Sequence, residues 1–163
     1  MTVVHGLASS GAALSASAGT ARRRSLFFSV SIRPMGVSAD LDRNAEFARK
    51  NFNLELTTFS FPFGDISLSS KRLVQRRFDA CPSSLPGVNR GVADLGALRA
   101  VRLYSKLVEA EAVESLVERA AERGSWLIFY THDLDESPTE FGCTPALFEA
   151  AVRAAIAAGC AGC

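Results

Sequence analysis

The sequence predicts an α/β fold built on a parallel sheet. Residues 126–130 (WLIFY) form an apolar and aromatic run between Gly124 and a polar loop, the pattern of a strand buried on both faces. Residues 54–61, rich in β-branched and aromatic side chains, end in Pro62-Phe63-Gly64-Asp65 and read as a second strand stopped by a turn. Stretches with helical spacing precede, separate and follow these two segments, and helix–strand–helix–strand–helix is the alternation of α/β domains.

A chain of 163 residues is long enough for one domain with a real core. A net charge of +1 with 21% charged residues gives no signal for nucleic acid, and none for a membrane. The average hides an asymmetry: residues 1–39 hold four arginines and no acid, and the remaining 14 basic and 17 acidic residues sum to −3. Cys81, Cys143, Cys160 and Cys163 are scattered and make no zinc pattern with His5 and His132. Cys160-x-x-Cys163 follows a helix instead of opening one, so these are read as incidental thiols.

Taken in order, residues 1–25 are mostly Ala, Ser, Gly, Thr and Arg, a composition that cannot bury a core. Organellar transit peptides share this acid-free composition, and residues 23–27 (RRSLF) are faintly like a twin-arginine signal. A plain disordered tail over residues 1–36 is the simplest reading. From Ser38, Leu41, Ala45, Ala48 and Phe52 recur at helical spacing, with Ser38 or Asp40 as N-cap. Residues 68–78 predict a short basic helix with Val74 and Phe78 inward. Residues 79–93 read as loop, with room for one short strand around Cys81. From Asp94 a helical stretch with one break runs to Arg123, clearest at Val113, Leu116, Val117 and Ala120, with Gly124 just past its end. The last helix starts at Thr144-Pro145, a cap followed by proline at the first helical position. It carries Phe148, Val152 and Ile156 inward and stops at Gly159. Two predicted strands are too few for a stable sheet, so part of a larger α/β domain is expected, with self-association through the incomplete sheet.

His132 is the candidate catalytic residue. It stands at the carboxyl end of a strand, where α/β folds bind ligands, and Asp133, Asp135, Glu136 and Glu140 follow it. Carboxylates around an imidazole raise its pKa and suit it to carrying a proton. A hydrogen-bonded edge residue is the alternative. The phenylalanines of residues 59–63 are either core or a rim able to stack on a sugar, and Asn89-Arg90 between two glycines is either a solvated turn or a ligand loop. Asp133-x-Asp135-x-Ser137 is not a calcium loop, because Pro138 and Thr144 stand where glycine and glutamate are needed.

F-x-F-P-F-G-D at 59–65, G-V-N-R-G at 87–91, G-x-W-L-I-F-Y-T-H-D at 124–133 and S-P-T-E-F-G-C-T-P at 137–145 together resemble the C-terminal half of a polysaccharide deacetylase domain. This is the NodB-homology type of carbohydrate esterase, and the likeness covers about residues 37–160. The resemblance implies a partial distorted (β/α) barrel over residues 37–163 and hydrolysis of acetyl amides or esters on a polysaccharide or oligosaccharide. It further implies a divalent metal, zinc or cobalt, held by an Asp and two His. By position His132 is similar to the family's late histidine, which protonates the leaving group. Tyr130 is similar to the apolar residue beside that histidine, and Pro62 and Phe63 to the groove turn. The family's T-F-D-D-G and H-[ST]-x-x-H motifs have no counterpart here, and Ser60 stands in place of its groove arginine. No residue of this chain is therefore assigned to the metal. The expectation is a deacetylase-like hydrolase lacking its metal-binding half and without activity as given. A non-catalytic carbohydrate-binding or interaction protein is the alternative.

Overall fold

A computed structural model describes residues 2–5, 37–61 and 64–161. The described residues divide into two compact units: residues 2–5, 84–93 and 99–161 form one, and residues 37–61, 64–83 and 94–98 the other. The architecture is mixed α/β, as the alternation predicts.

The first unit is organised on β4 (Ile128–Thr131). Strand β1 (Thr2–His5) pairs with it in parallel, Thr2 opposite Ile128 and His5 opposite Thr131. Strand β3 (Leu98–Arg102) pairs in parallel on its other side, Val101 opposite Phe129 and Arg102 opposite Tyr130. Strand β2 (Pro82–Pro86) lies beyond β3, giving the order β1-β4-β3-β2. Ile128, Phe129 and Thr131 are fully buried, as a central strand requires.

Two expectations change here. Residues 2–5 belong to the sheet and not to a disordered tail, because a central strand leaves a row of backbone groups that an edge segment satisfies. Residues 98–102 are strand where a helix was expected. Leu98 and Ala100 are buried and Arg99 between them is exposed, a strand's alternation, and the pairing of Val101 and Arg102 with β4 overrides the helix propensity of Leu, Ala and Arg.

Helix α3 (Ala110–Glu122) buries Val113, Val117 and Ala120 as its spacing predicts. Gly124, with φ 57°, takes the left-handed turn that lets Ser125 N–H reach the Ala120 carbonyl at 2.8 Å. Helix α4 (Pro145–Ala157) starts under the Thr144 cap, whose hydroxyl accepts from Leu147 N–H at 3.3 Å. Its inward face is not the predicted one. Leu147, Ala151 and Ala155 are buried against α3, whereas Ile156 is 73% exposed. Small alanines let two helices approach closely, and that packing outweighs the pull of one large apolar residue.

The second unit holds α1 (Val37–Phe52) and α2 (Leu68–Val74) over a core of Leu41, Phe59, Phe61, Val74 and Cys81. Ser38 and Asp40 lie inside α1 and do not cap it. The Arg77 guanidinium reaches Ser38 Oγ at 2.7 Å and Asp42 at 2.8 Å, holding that turn. Residues 54–61 form no strand: one parallel bridge, Thr58 to Ala80, joins them to the chain after α2. The basic helix ends at Val74, four residues short of its predicted end at Phe78, capped by Gln75. Asn53, with φ 51°, closes α1, and its N–H reaches the Arg49 carbonyl at 3.1 Å.

Candidate functional site

Parallel pairing brings the carboxyl ends of β3 and β4 side by side. The Leu103 N–H donates to the Tyr130 carbonyl at 2.8 Å, extending the ladder one residue past β3 and placing Tyr104 beside the end of β4. Tyr104 is buried, and its ring centroid lies 5.7 Å from Tyr130, 5.9 Å from His132 and 5.9 Å from Phe141. His132, half-buried, lies 5.6 Å from Phe141. The Arg102 Nε–H donates to the Tyr130 hydroxyl at 3.1 Å. Burial pushes the Tyr104 phenol well above the ordinary tyrosine range, and the Tyr130 phenol beside it adds to the shift. Tyr104 is therefore a neutral hydroxyl at any physiological pH.

The loop after His132 is built to stay put. The Asp133 carboxylate accepts from Thr139 N–H at 3.0 Å and from the Thr139 hydroxyl at 2.9 Å. Its backbone carbonyl accepts from Cys143 N–H at 2.9 Å. A Cβ on Gly142 would sit 1.9 Å from Asp133 Oδ1 and 2.7 Å from Pro138 Cβ, so only glycine fits there. The Ser105 hydroxyl accepts from Thr144 N–H at 2.8 Å, tying the chain after β3 to the start of α4. His132 N–H donates to the Phe141 carbonyl at 3.1 Å, which fixes the histidine's backbone against the loop's far side.

Of the residues picked from sequence, His132 and Tyr130 come together at one sheet edge, while Pro62 and Phe63 lie outside the described residues. The acidic loop differs from its expected part. Asp133 is turned to Thr139, and Asp135 Oδ1 accepts from Ser137 N–H at 2.9 Å, so both carboxylates order the loop itself. Phe59 and Phe61 are buried in the second unit's core, with Phe59 stacked on Phe78 at 5.4 Å, and they offer no rim for a sugar. Asn89 is neither a solvated turn nor a ligand residue. It is buried, its amide donates to the Arg99 carbonyl at 2.9 Å, and its Oδ1 accepts from Arg99 N–H at 2.9 Å.

Three residues of this edge were missed from sequence: Arg102, Tyr104 and Phe141. For the first two the signal was the alternation of Leu98 and Ala100 with Arg99, which marks a strand and so an edge. For Phe141 it was a lone aromatic in a polar loop.

The described donors do not fit a divalent metal. Among the described residues no three His, Cys, Asp or Glu side chains are grouped to hold an ion, and the two carboxylates nearest His132 in sequence are engaged within their own loop. No helix among the described residues is long and apolar enough to cross a membrane. An open cleft of about 560 Å³ lies in the first unit, lined by the C-terminal half of α3, by Trp126 and Leu127, and by residues 158–161 after α4. It is at the amino end of β4, away from His132, and its lining is more apolar than polar. Comparison with protein-family models, with curated proteins and with solved structures gives no match.

Proposed function

We propose that this chain carries the leaving-group side of a polysaccharide-deacetylase-like hydrolase, part of a distorted (β/α) barrel, and that His132 is its proton donor. The observation that carries the reading is His132 at the carboxyl end of β4, set among Tyr104, Tyr130 and Phe141. A pyranose has an apolar C–H face and a rim of hydroxyls, and a site with aromatic faces and phenolic and imidazole edges matches both. In acetyl hydrolysis, water oxygen bonds to the carbonyl carbon, and the bond from that carbon to the sugar nitrogen or oxygen breaks. The imidazolium of His132 gives its proton to the departing sugar atom. Water activation is a separate requirement, and the described donors of this chain do not supply it.

The division of labour is testable. The chain given zinc or cobalt is expected to release no acetate from acetylated oligosaccharides. Joined to a family N-terminal half that carries the Asp-Asp and His-x-x-x-His motifs, it is expected to release acetate. His132→Ala in that hybrid should then lower turnover by roughly 10²–10⁴-fold with bound metal unchanged. Full activity of the His132→Ala hybrid would remove the proton-donor role.

A second reading, a carbohydrate-binding protein without catalysis, is favoured by the same unmatched donor set. It predicts that the hybrid also stays inactive while the edge still binds sugar.

A further inference from the structure

We propose that Phe141 is a fixed stacking platform for one pyranose ring of the ligand, a subsite next to His132. The inference rests on the carbohydrate reading of this edge and names the residue that holds the ring. Phe141 is 49% exposed although it is a large aromatic side chain, so about half of its surface is open to a ligand. An exposed phenylalanine in a loop usually moves. This one is held. Its carbonyl accepts from His132 N–H at 3.1 Å and from Thr131 Oγ1 at 3.4 Å. The next residue, Gly142, donates to the Thr139 carbonyl at 3.1 Å and accepts from Ser105 N–H at 3.0 Å. The ring itself packs edge-on against Tyr104 at an interplanar angle of 71° and is tilted 53° to the His132 imidazole. A ligand landing on such a ring pays little ordering entropy, which is the condition under which a single aromatic contributes strongly to binding.

The chemistry of the surroundings selects the ligand class. A purely apolar partner would leave the His132 imidazole, the Tyr130 hydroxyl and the Arg102 guanidinium without compensation as it displaced their water. A pyranose covers the phenyl with its C–H face and offers hydroxyls or an acetamido group to those edges. Because the ring contacts both Phe141 and the neighbourhood of His132, the platform sets which sugar's acetyl group the imidazole meets. Phe141 is thus a positioning residue.

The test uses the whole chain, titrated with a tetramer of N-acetylglucosamine and, separately, with an O-acetylated xylo-oligosaccharide, by calorimetry and by fluorescence. Phe141→Ala and Phe141→Leu should each bind the preferred oligosaccharide roughly tenfold more weakly than the unaltered chain, at an unchanged melting temperature. Leucine keeps the apolar volume and loses the flat face, so it separates stacking from simple burial. Phe141→Trp should bind at least as tightly, and its emission should change on titration. Trp126, the chain's single tryptophan, lies at the other end of β4 and should report little. Equal affinity of the unaltered chain and of Phe141→Ala and Phe141→Leu would overturn the platform while leaving the carbohydrate site standing. No binding of either oligosaccharide by the unaltered chain would overturn the carbohydrate site itself, and the platform with it. Binding of aromatic peptides in preference to both sugars would also overturn the platform as a sugar subsite.

Discussion

Asn89 shows how one side chain can join two strands. Its amide nitrogen donates to the Arg99 and Trp126 carbonyls at 2.9 and 3.3 Å, its oxygen accepts from Arg99 N–H, and its backbone pairs with Trp126 in both directions. The entries to β3 and β4 are latched to each other through it, and with them the register that sets Tyr104 beside His132. Asn89→Ala is expected to destabilise the protein by about 2–3 kcal/mol in chemical denaturation, since it leaves the Arg99 N–H and two carbonyls short of a partner. Asn89→Asp should cost a similar amount, because a carboxylate would face the two carbonyls. A loss under about 0.5 kcal/mol in both would return Asn89 to the solvated-turn reading. At this scale the sequence was informative where chemistry is local. Thr144 and Pro145 announce a helix start, and Gly124 a helix end, without reference to anything distant. Asn89 and Asp133 were opaque because their partners lie 10 and 6 residues away, and a polar side chain in a loop carries no mark of which backbone group it will find.

For elements, periodicity decides, and it misled where two periods overlap. Residues 94–123 contain enough Leu, Ala, Arg and Glu to read as helix with one break, yet Leu98, Arg99 and Ala100 alternate as a strand does, and pairing with β4 decides for the strand. In α4 the large apolar residues suggested one inward face, and the alanines occupy another. The two assignments of that helix make opposite forecasts. Ala151→Leu, at a fully buried position against α3, should cost about 1–3 kcal/mol through overpacking. Ile156→Ala, at a position 73% exposed, should change stability by under about 0.5 kcal/mol. Thermal or denaturant melts of the two variants check this directly, and a loss of ~2 kcal/mol or more for Ile156→Ala would restore the face read from sequence. The strand at β4 was legible because its burial on both faces leaves a continuous apolar run. The edge strand β1 was not, because four residues within an Ala- and Ser-rich start carry no period of their own.

For the molecule as a whole, each unit has its own core, and the second contains a titratable group that links its stability to pH. Burial pushes the Cys81 thiol up to about 11, with the Asp94 carboxylate adding to it, against about 8.5 for a free cysteine. The folded state therefore holds this proton more tightly than the unfolded state. The stability it contributes is complete below pH ~8.5 and is lost progressively as the pH rises toward 11. Melting temperatures measured from pH 8 to 10.5 should fall more steeply for the unaltered chain than for Cys81→Ala, and parallel slopes would show that Cys81 is not the linked group. The α/β class and the order of the last helix, strand and helix were readable from sequence. The division into two units was not, because β2 and β3 cross it, with Pro82, Ser83 and Leu98 on the second unit's side.

The central claim is that the carboxyl edge of β4 is a carbohydrate site centred on His132. Backbone amide shifts recorded while the ¹⁵N-labelled chain is titrated with acetylated oligosaccharides test it most directly. The account predicts saturable shifts at Tyr104, Tyr130, His132 and Phe141, with Val74 and Cys81 in the second unit's core unmoved. Saturable shifts confined to the cleft at Trp126 and Cys160, or no shifts with any acetylated oligosaccharide, would contradict it.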